Sequence, residues 1–227
     1  MTEPNQPVLR LRRLDACAVS DALDKLQLSG AVGGLRQLAT DRRIAGRVTT
    51  VKLATAAQAQ AAAAQSNTPP QHLCAAAIEA SGPDSVIVVE QRTGIEAGSW
   101  GGLLTLGAKL RNVAGVISEG LVRDIDEARQ YDFAVFARGL TTRTARGRVA
   151  ELATHVAITV GDVTVEDGDY VVADHSGVVF IAAARIDDVL DIAEQIVATE
   201  AAMAKALLSG QAITRVMGAN YEHMLQS

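Results

Sequence analysis

Short runs of β-branched residues alternate with helical stretches through the middle of this chain, then give way to runs joined by tight turns. That change of rhythm limits the folds open to it. The runs at 47–53, 85–90, 114–118, 133–136, 155–160, 163–166, 170–173 and 178–181 are strand-like, because side chains branched at Cβ suit a pleated, half-buried surface. Helical patterning covers 16–28, 54–65, 71–80, 103–111, 125–131 and 186–208. The last of these is amphipathic, with Val189, Ile192, Ala193, Ile196 and Val197 on one face and Asp188, Asp191, Glu194 and Gln195 elsewhere. Between Val160 and Ile181, the pairs Gly161-Asp162 and Asp167-Gly168 and the link Asp174-His175-Ser176-Gly177 are turn signals. Alternation followed by a meander predicts an α/β fold, a mixed sheet layered with helices. No repeat, biased tail or linker interrupts the pattern, so a single domain over residues 1–227 is expected.

Composition removes several classes of function. The 48% apolar share is dispersed, and no run approaches the roughly 20 residues that a membrane span requires. The blandest stretch, residues 53–64, is Ala-rich, broken by Gln58 and Gln60, and reads as a helix. The first residues, to Pro7, are polar, and no apolar stretch follows Arg10, Arg12 and Arg13 as a secretion signal would need. Cys17 and Cys74 have neither metal-ligand spacing nor the density of a disulfide framework, which fits two reduced thiols and the cytoplasm. Aromatics are 3% of the chain, too few for the stacking platforms of single-stranded nucleic-acid binding, so no nucleic-acid ligand is expected. The net charge of −5 leaves room for an anionic small substrate, because local charge decides that.

Chemistry concentrates between Ser99 and Glu127. Gly101 and Gly102 open a helix, where a ligand can approach the backbone and the free N–H groups of the first turn favour an anion such as a carboxylate. Arg123 and Asp124 follow a strand and open the next helix. Arg123 offers a planar fork for a carboxylate. Asp124 is a hard oxygen ligand for Mg²⁺ or Mn²⁺, and Mg²⁺ keeps several waters while taking only one or two carboxylates. Glu127, three residues on, shares its helix face and could hold a metal-bound water. The same spacing also describes an Asp N-cap with Glu127 as the acid of a capping box and Arg123 at the surface. Both readings stand on the residues alone.

Other polar residues have plainer accounts. His175 beside Asp174 could form a dyad, but a turn with local hydrogen bonds suits that position better. His72 opens a helix after Pro69-Pro70, and His155 starts a strand. Arg138, Arg143, Arg146 and Arg148 form a basic loop that could attract di- or tricarboxylates or meet a neighbouring subunit. Glu194 or Glu200 could reach a neighbour's site if the C-terminal helix crossed over.

Gly102, twenty intervening residues, Arg123-Asp124, two more and Glu127 resemble the signature of the RraA-like family. That family joins regulators of ribonuclease E activity to class II 4-hydroxy-4-methyl-2-oxoglutarate/4-carboxy-4-hydroxy-2-oxoadipate aldolases. The likeness extends over roughly residues 15–205. It includes Val19-Ser20-Asp21-Ala22-Leu23, Trp100-Gly101-Gly102-Leu103-Leu104, Val135-Phe136-Ala137-Arg138-Gly139, Arg143-Thr144-Ala145 and Val172-Ala173-Asp174 with Gly177-Val178-Val179.

The resemblance implies an RraA-like layered sandwich with a swivelling β/β/α core flanked by helices. It implies that the amides of Gly101, Gly102, Leu103 and Leu104, with Arg123, hold a pyruvate carboxylate. Asp124 would bind the divalent metal, Mg²⁺ or Mn²⁺, and Glu127 would support its waters. The assembly would be a homotrimer or a hexamer of trimers, with sites near subunit boundaries. The reaction would be metal-dependent cleavage of 4-hydroxy-2-oxo acids to pyruvate, with a metal-bound water or hydroxide as base and oxaloacetate decarboxylation as a side activity. The family also offers a non-catalytic ribonuclease-binding role and lyases for other hydroxy-oxo acids. Two departures bear on substrate choice. Gly102 stands where dedicated aldolases of this family tend to carry Asp, and Glu90-Gln91-Arg92-Thr93-Gly94 replaces an Asp-Ala-Gly-Gly-like run. The chain is also longer at both ends than the compact ribonuclease regulators.

Overall fold

The computed structural model describes residues 5–66 and 72–218. Its helices are α1 (Gln6–Leu11), α2 (Ala16–Lys25), α3 (Ala56–Ser66), α4 (Ala75–Ala80), α5 (Gly102–Leu110), α6 (Ile125–Gln130), α7 (Ile186–Leu208) and α8 (Ile213–Val216). Its strands are β1 (Ala31–Val32), β2 (Arg36–Ala39), β3 (Ile44–Thr55), β4 (Ser85–Glu90), β5 (Gly115–Val122), β6 (Ala134–Leu140), β7 (Val149–Thr154), β8 (Ile158–Val160), β9 (Val163–Val165), β10 (Tyr170–Asp174) and β11 (Gly177–Ile181).

Four of these strands, β3, β4, β5 and β6, run parallel, with helices carrying the chain back between them. Parallel neighbours need such crossovers. Antiparallel strands complete the sheet on both sides, in the order β1-β11-β10-β3-β4-β5-β6-β2. The edge of β3 away from β4 is shared. β10 pairs its first residues and β7 its last, and in between Asp167 Oδ1 accepts the Thr50 amide at 3.0 Å. Strands β8 and β9 form a separate hairpin turned at Gly161-Asp162.

The apolar run of β4 shows why the sheet is layered. Ile87 and Val89 join one buried cluster with Trp100, Ala108 and Phe133, while Val86 and Val88 join another with Ile158, Val160 and Val165. A strand covered on both faces has no reason to alternate apolar with polar. A third cluster packs α1, α2 and α7 on β10 and β11. Within it the buried face of α7 is Ile186, Val189, Leu190, Ala193 and Ile196, with Ile192 and Val197 partly buried. The expected mixed sheet flanked by helices is therefore the observed one. No helix among the described residues is long and apolar enough to cross a membrane, and Cys17 and Cys74 are both free.

Several expected boundaries shift. The run expected at 155–160 begins only at Ile158, because His155 takes a left-handed conformation (φ 59°) after β7 and its Nδ1 lies 2.9 Å from Asp167. The helix expected from 71 starts at Ala75, after Cys74 at φ 58°. Gln71, Pro69 and Pro70 lie outside the described residues, and His72 precedes the helix rather than opening it. Strand β3 continues to Thr55, past the expected helix start at 54. Helices α1 and α8 and strands β1, β2 and β7 are not among the expected elements.

Candidate active site

Arg123 and Asp124 lie just beyond the C-terminal end of β5, and α6 starts at the next residue. Asp124 holds the N-cap position at φ 56° and ψ 38°, in the left-handed region that Asp tolerates better than most residues. Its side chain makes no hydrogen bond to its own helix. Oδ2 instead accepts the amide of Gly102 at 3.0 Å, at the start of α5, and Oδ1 lies 3.2 Å from Arg123 Nε. The capping-box alternative is therefore not what forms. A carboxylate already rests on the first turn of α5, where unpaired amides and the positive helix end favour one.

Glycine leaves the room for close approach here. A Cβ at Gly102 would come 1.8 Å from Glu127 Oε2, and one at Gly101 would come 2.8 Å from Asp124 Oδ2. Both carboxylates thus reach the same stretch of backbone. The support beneath is buried. Trp100, 1% exposed, donates from Nε1 to Thr105 Oγ1 at 2.9 Å, and Thr105 Oγ1 donates on to Gly101 O at 3.0 Å. The Trp100 ring stacks on Phe133 with centroids 6.3 Å apart. The Arg123 amide donates to Trp100 O at 3.0 Å. Ser99 and Ser118 share a buried hydroxyl contact of 2.6 Å, and Ser118 Oγ also accepts the Gly120 amide at 3.1 Å. This ties the segment before α5 to β5.

A concavity of about 610 Å³ opens beside the cluster, lined by Arg123, Asp124, Glu127, Leu140, Thr141 and Thr142 among others. The structure brings Gly101, Gly102, Arg123, Asp124 and Glu127 together. It does not direct Leu103 inward, for that residue is 85% exposed, so it can contribute only its amide. Leu104 packs partly against the core. Sequence reasoning missed Leu140, Thr141 and Thr142. Strand β6 continues to Leu140, paired with Val122, and the Val135–Gly139 block was the available hint.

Among the described residues no group of three or more His, Cys, Asp or Glu could hold a metal ion. Two converging carboxylates are too few for a structural zinc site, yet they fit Mg²⁺ or Mn²⁺, which retain waters. Two of the remaining candidates resolve into local roles. Asp174 Oδ1 accepts the Ser176 amide at 2.8 Å, a turn contact, while His175 faces Asp41 at 3.7 Å, so no Asp174–His175 dyad forms. Glu194 is held within the chain by Arg10, through two contacts of 2.8 Å. That pairing draws the Glu194 carboxyl below its ordinary range.

A mixed sheet in which a guanidinium and two carboxylates follow β5 onto the glycine-bounded start of a helix defines an α/β protein with a polar cluster at the C-terminal ends of its parallel strands. The RraA-like family model (Aldolase/RraA) matches residues 16–180, and the chain belongs to that family. It is 27% identical to protein DlpA of Legionella pneumophila over 93% of its own length, but spans only 33% of that relative. A Halalkalibacterium halodurans protein provisionally named a 4-hydroxy-4-methyl-2-oxoglutarate aldolase is 26% identical, with 88% of each chain covered. The crystal structure of Streptomyces coelicolor RraAS2, described as an unusual member of the RNase ES inhibitor RraA family, superposes with a TM-score of 0.73. That match has 20% identity and covers 93% of this chain and 99% of the other, so it speaks to fold.

Proposed function

We propose that the protein is a divalent-metal-dependent carbon–carbon lyase that releases pyruvate from 4-hydroxy-2-oxo acids of the 4-hydroxy-4-methyl-2-oxoglutarate type, and that also decarboxylates oxaloacetate. The observation that carries this is the Asp124 carboxylate on the Gly102 amide, beside Arg123 and Glu127 and open to the concavity. Arg123 and the first-turn amides of α5 bind and orient the 2-oxo acid carboxylate. Asp124, with Glu127 through water, would hold Mg²⁺ or Mn²⁺, which when bound supplies electrophilic stabilisation of negative charge at the 2-oxo group. In the cleavage the 4-hydroxyl loses its proton to a water oriented by Glu127, the C3–C4 bond breaks, and its electron pair enters the pyruvate enolate. C4 leaves as the new carbonyl, and C3 of the enolate is then protonated. Glu127 orients water at the cluster, and the shared floor at Gly102 keeps its oxygens close to Asp124.

Exposed Leu103, Leu106 and Leu110 repeat at helical spacing along α5. An apolar stripe beside the site supports self-association into a homotrimer or a hexamer of trimers. The two free thiols suit the cytoplasm. The test is pyruvate release from 4-hydroxy-4-methyl-2-oxoglutarate and from oxaloacetate, with Mg²⁺ and with chelator. Chelation should abolish both activities and added Mg²⁺ restore them. Equal rates under chelation would overturn the reading, and activity on a different 4-hydroxy-2-oxo acid alone would keep the reaction and replace the substrate.

A further inference from the structure

A second concavity, of about 410 Å³, lies at the opposite edge of the sheet. Arg42, Arg43 and Lys109 join Arg12 around it, over Val113 and Ala114. Strands β3, β4 and β5 all begin there, whereas Arg123 follows the end of β5. An eight-residue strand at about 3.3 Å per residue separates the two places by roughly 25 Å.

Cations outnumber the carboxylates that hold them. Arg12 Nη2 lies 2.9 Å from Asp84 and also donates to Pro83 O at 2.8 Å. Arg42 and Lys109 share the single carboxylate of Asp132, at 3.2 and 3.8 Å. Arg43 donates to Leu14 O at 2.6 Å, and its carboxylate contact is a distant 3.8 Å to Asp174. Both oxygens of Asp174 already accept amides, from Ala16 and Ser176. Four like charges from three chain segments repel across this common space. A cleft walled by one sign of charge concentrates the opposite one, and arginine forks match the oxygens of phosphate and carboxylate groups. Its volume lies in the range of small-molecule sites.

We propose that this cleft binds a small, multiply charged anion carrying phosphate groups or clustered carboxylates, at a site separate from that around Arg123. The test is calorimetric titration of the full chain, metal-free and at low ionic strength, with inorganic pyrophosphate and separately with citrate. Binding of pyrophosphate over citrate identifies the phosphate class, and the reverse identifies polycarboxylates. Arg42→Gln/Arg43→Gln should weaken binding about tenfold or more, the equivalent of one lost charge-assisted contact. Asp132→Asn should tighten it, because a neutralising charge is removed while Arg42 and Lys109 keep their bonds to the Asp132 carbonyl, and Arg123→Gln should leave it in place. If the double variant fails to fold, Lys109→Gln gives the same readout with a smaller loss. No heat with either anion, wild-type affinity in the folded variants, or loss of binding in Arg123→Gln would overturn the proposal.

Discussion

The two edges of the parallel strands carry charge in opposite ways. At the C-terminal edge, two short acids and one arginine are pressed onto glycine backbone, and a single added Cβ would fall 1.8 Å from a carboxylate oxygen. At the N-terminal edge, long cationic side chains lean on half-exposed carboxylates such as Asp84 and Asp132. The first arrangement is held by backbone and allows little error. The second is held by side chains with many rotamers and can readjust. Position at one edge depends on what is missing from the glycines, and at the other on what the arginines can reach.

Substitutions can break or sharpen that contrast, and their expected effects fall in order. Asp124→Asn, whose side chain also tolerates the left-handed backbone, should lower kcat for pyruvate release on the order of 10³-fold while the thermal transition stays close to wild type. Full activity in that variant would remove the proposed chemistry. Gly102→Ala should come next, at about 10²-fold in turnover, because its methyl displaces Glu127. Helix propensity at the start of α5 favours Ala, so stability should hold within about 1 kcal/mol. A wild-type rate would mean that Glu127 moves aside at no cost. Ser118→Ala leaves the buried Gly120 amide without its acceptor, while Ser99 keeps its bond to Leu121 O, and denaturant unfolding should register a loss of about 1–3 kcal/mol.

The mildest change should come from a contact of the long-side-chain kind. Glu194→Gln breaks the exposed pair with Arg10 and should cost less than about 1 kcal/mol, vanishing in high salt. Its pH dependence has a definite sign. Glu194 is drawn below its ordinary value of 4.5, first by the hydrogen bond from Arg10. The pair therefore contributes above that value, and its contribution is lost as pH falls through the lower folded value. Acid unfolding of Glu194→Gln should lack that component, and a larger shift at neutral pH and high salt would contradict the screening argument.

Much of this was legible in the chain. The run Ser85–Glu90 carries its burial on both faces in its residues, and the turns at Gly161-Asp162 and Asp167-Gly168 fall where glycine precedes or follows Asp. Arg123, Asp124 and Glu127 were legible as a cluster, but whether Asp124 caps its own helix or accepts from another was not. That choice depends on α5, which is far in sequence and adjacent only after folding. Strand β7 was hidden by Glu151, a charge within a strand. It is 6% exposed and satisfied by the Cys74 amide at 2.6 Å and the Thr154 hydroxyl at 2.6 Å. Strand β2 pairs only with β6, and two of its four residues are half-buried, so its Arg36-Gln37-Leu38-Ala39 segment shows no clear period of two. The short helix α1 takes its N-cap from Asn5 and its fixed φ from Pro7, signals too brief to outweigh a polar start.

The carboxylate lying over Gly102 ties two positions into one history. Any side chain at 102 and the full length of Glu127 compete for the same volume. A variant that gains an acid at 102 while keeping Glu127 turns the Glu127 carboxylate aside and gathers three acids at one place, whereas one that first shortens residue 127 gathers them without that turn. The effect of a side chain at 102 therefore depends on which residue stands at 127, and the two positions act as one unit rather than as independent sites.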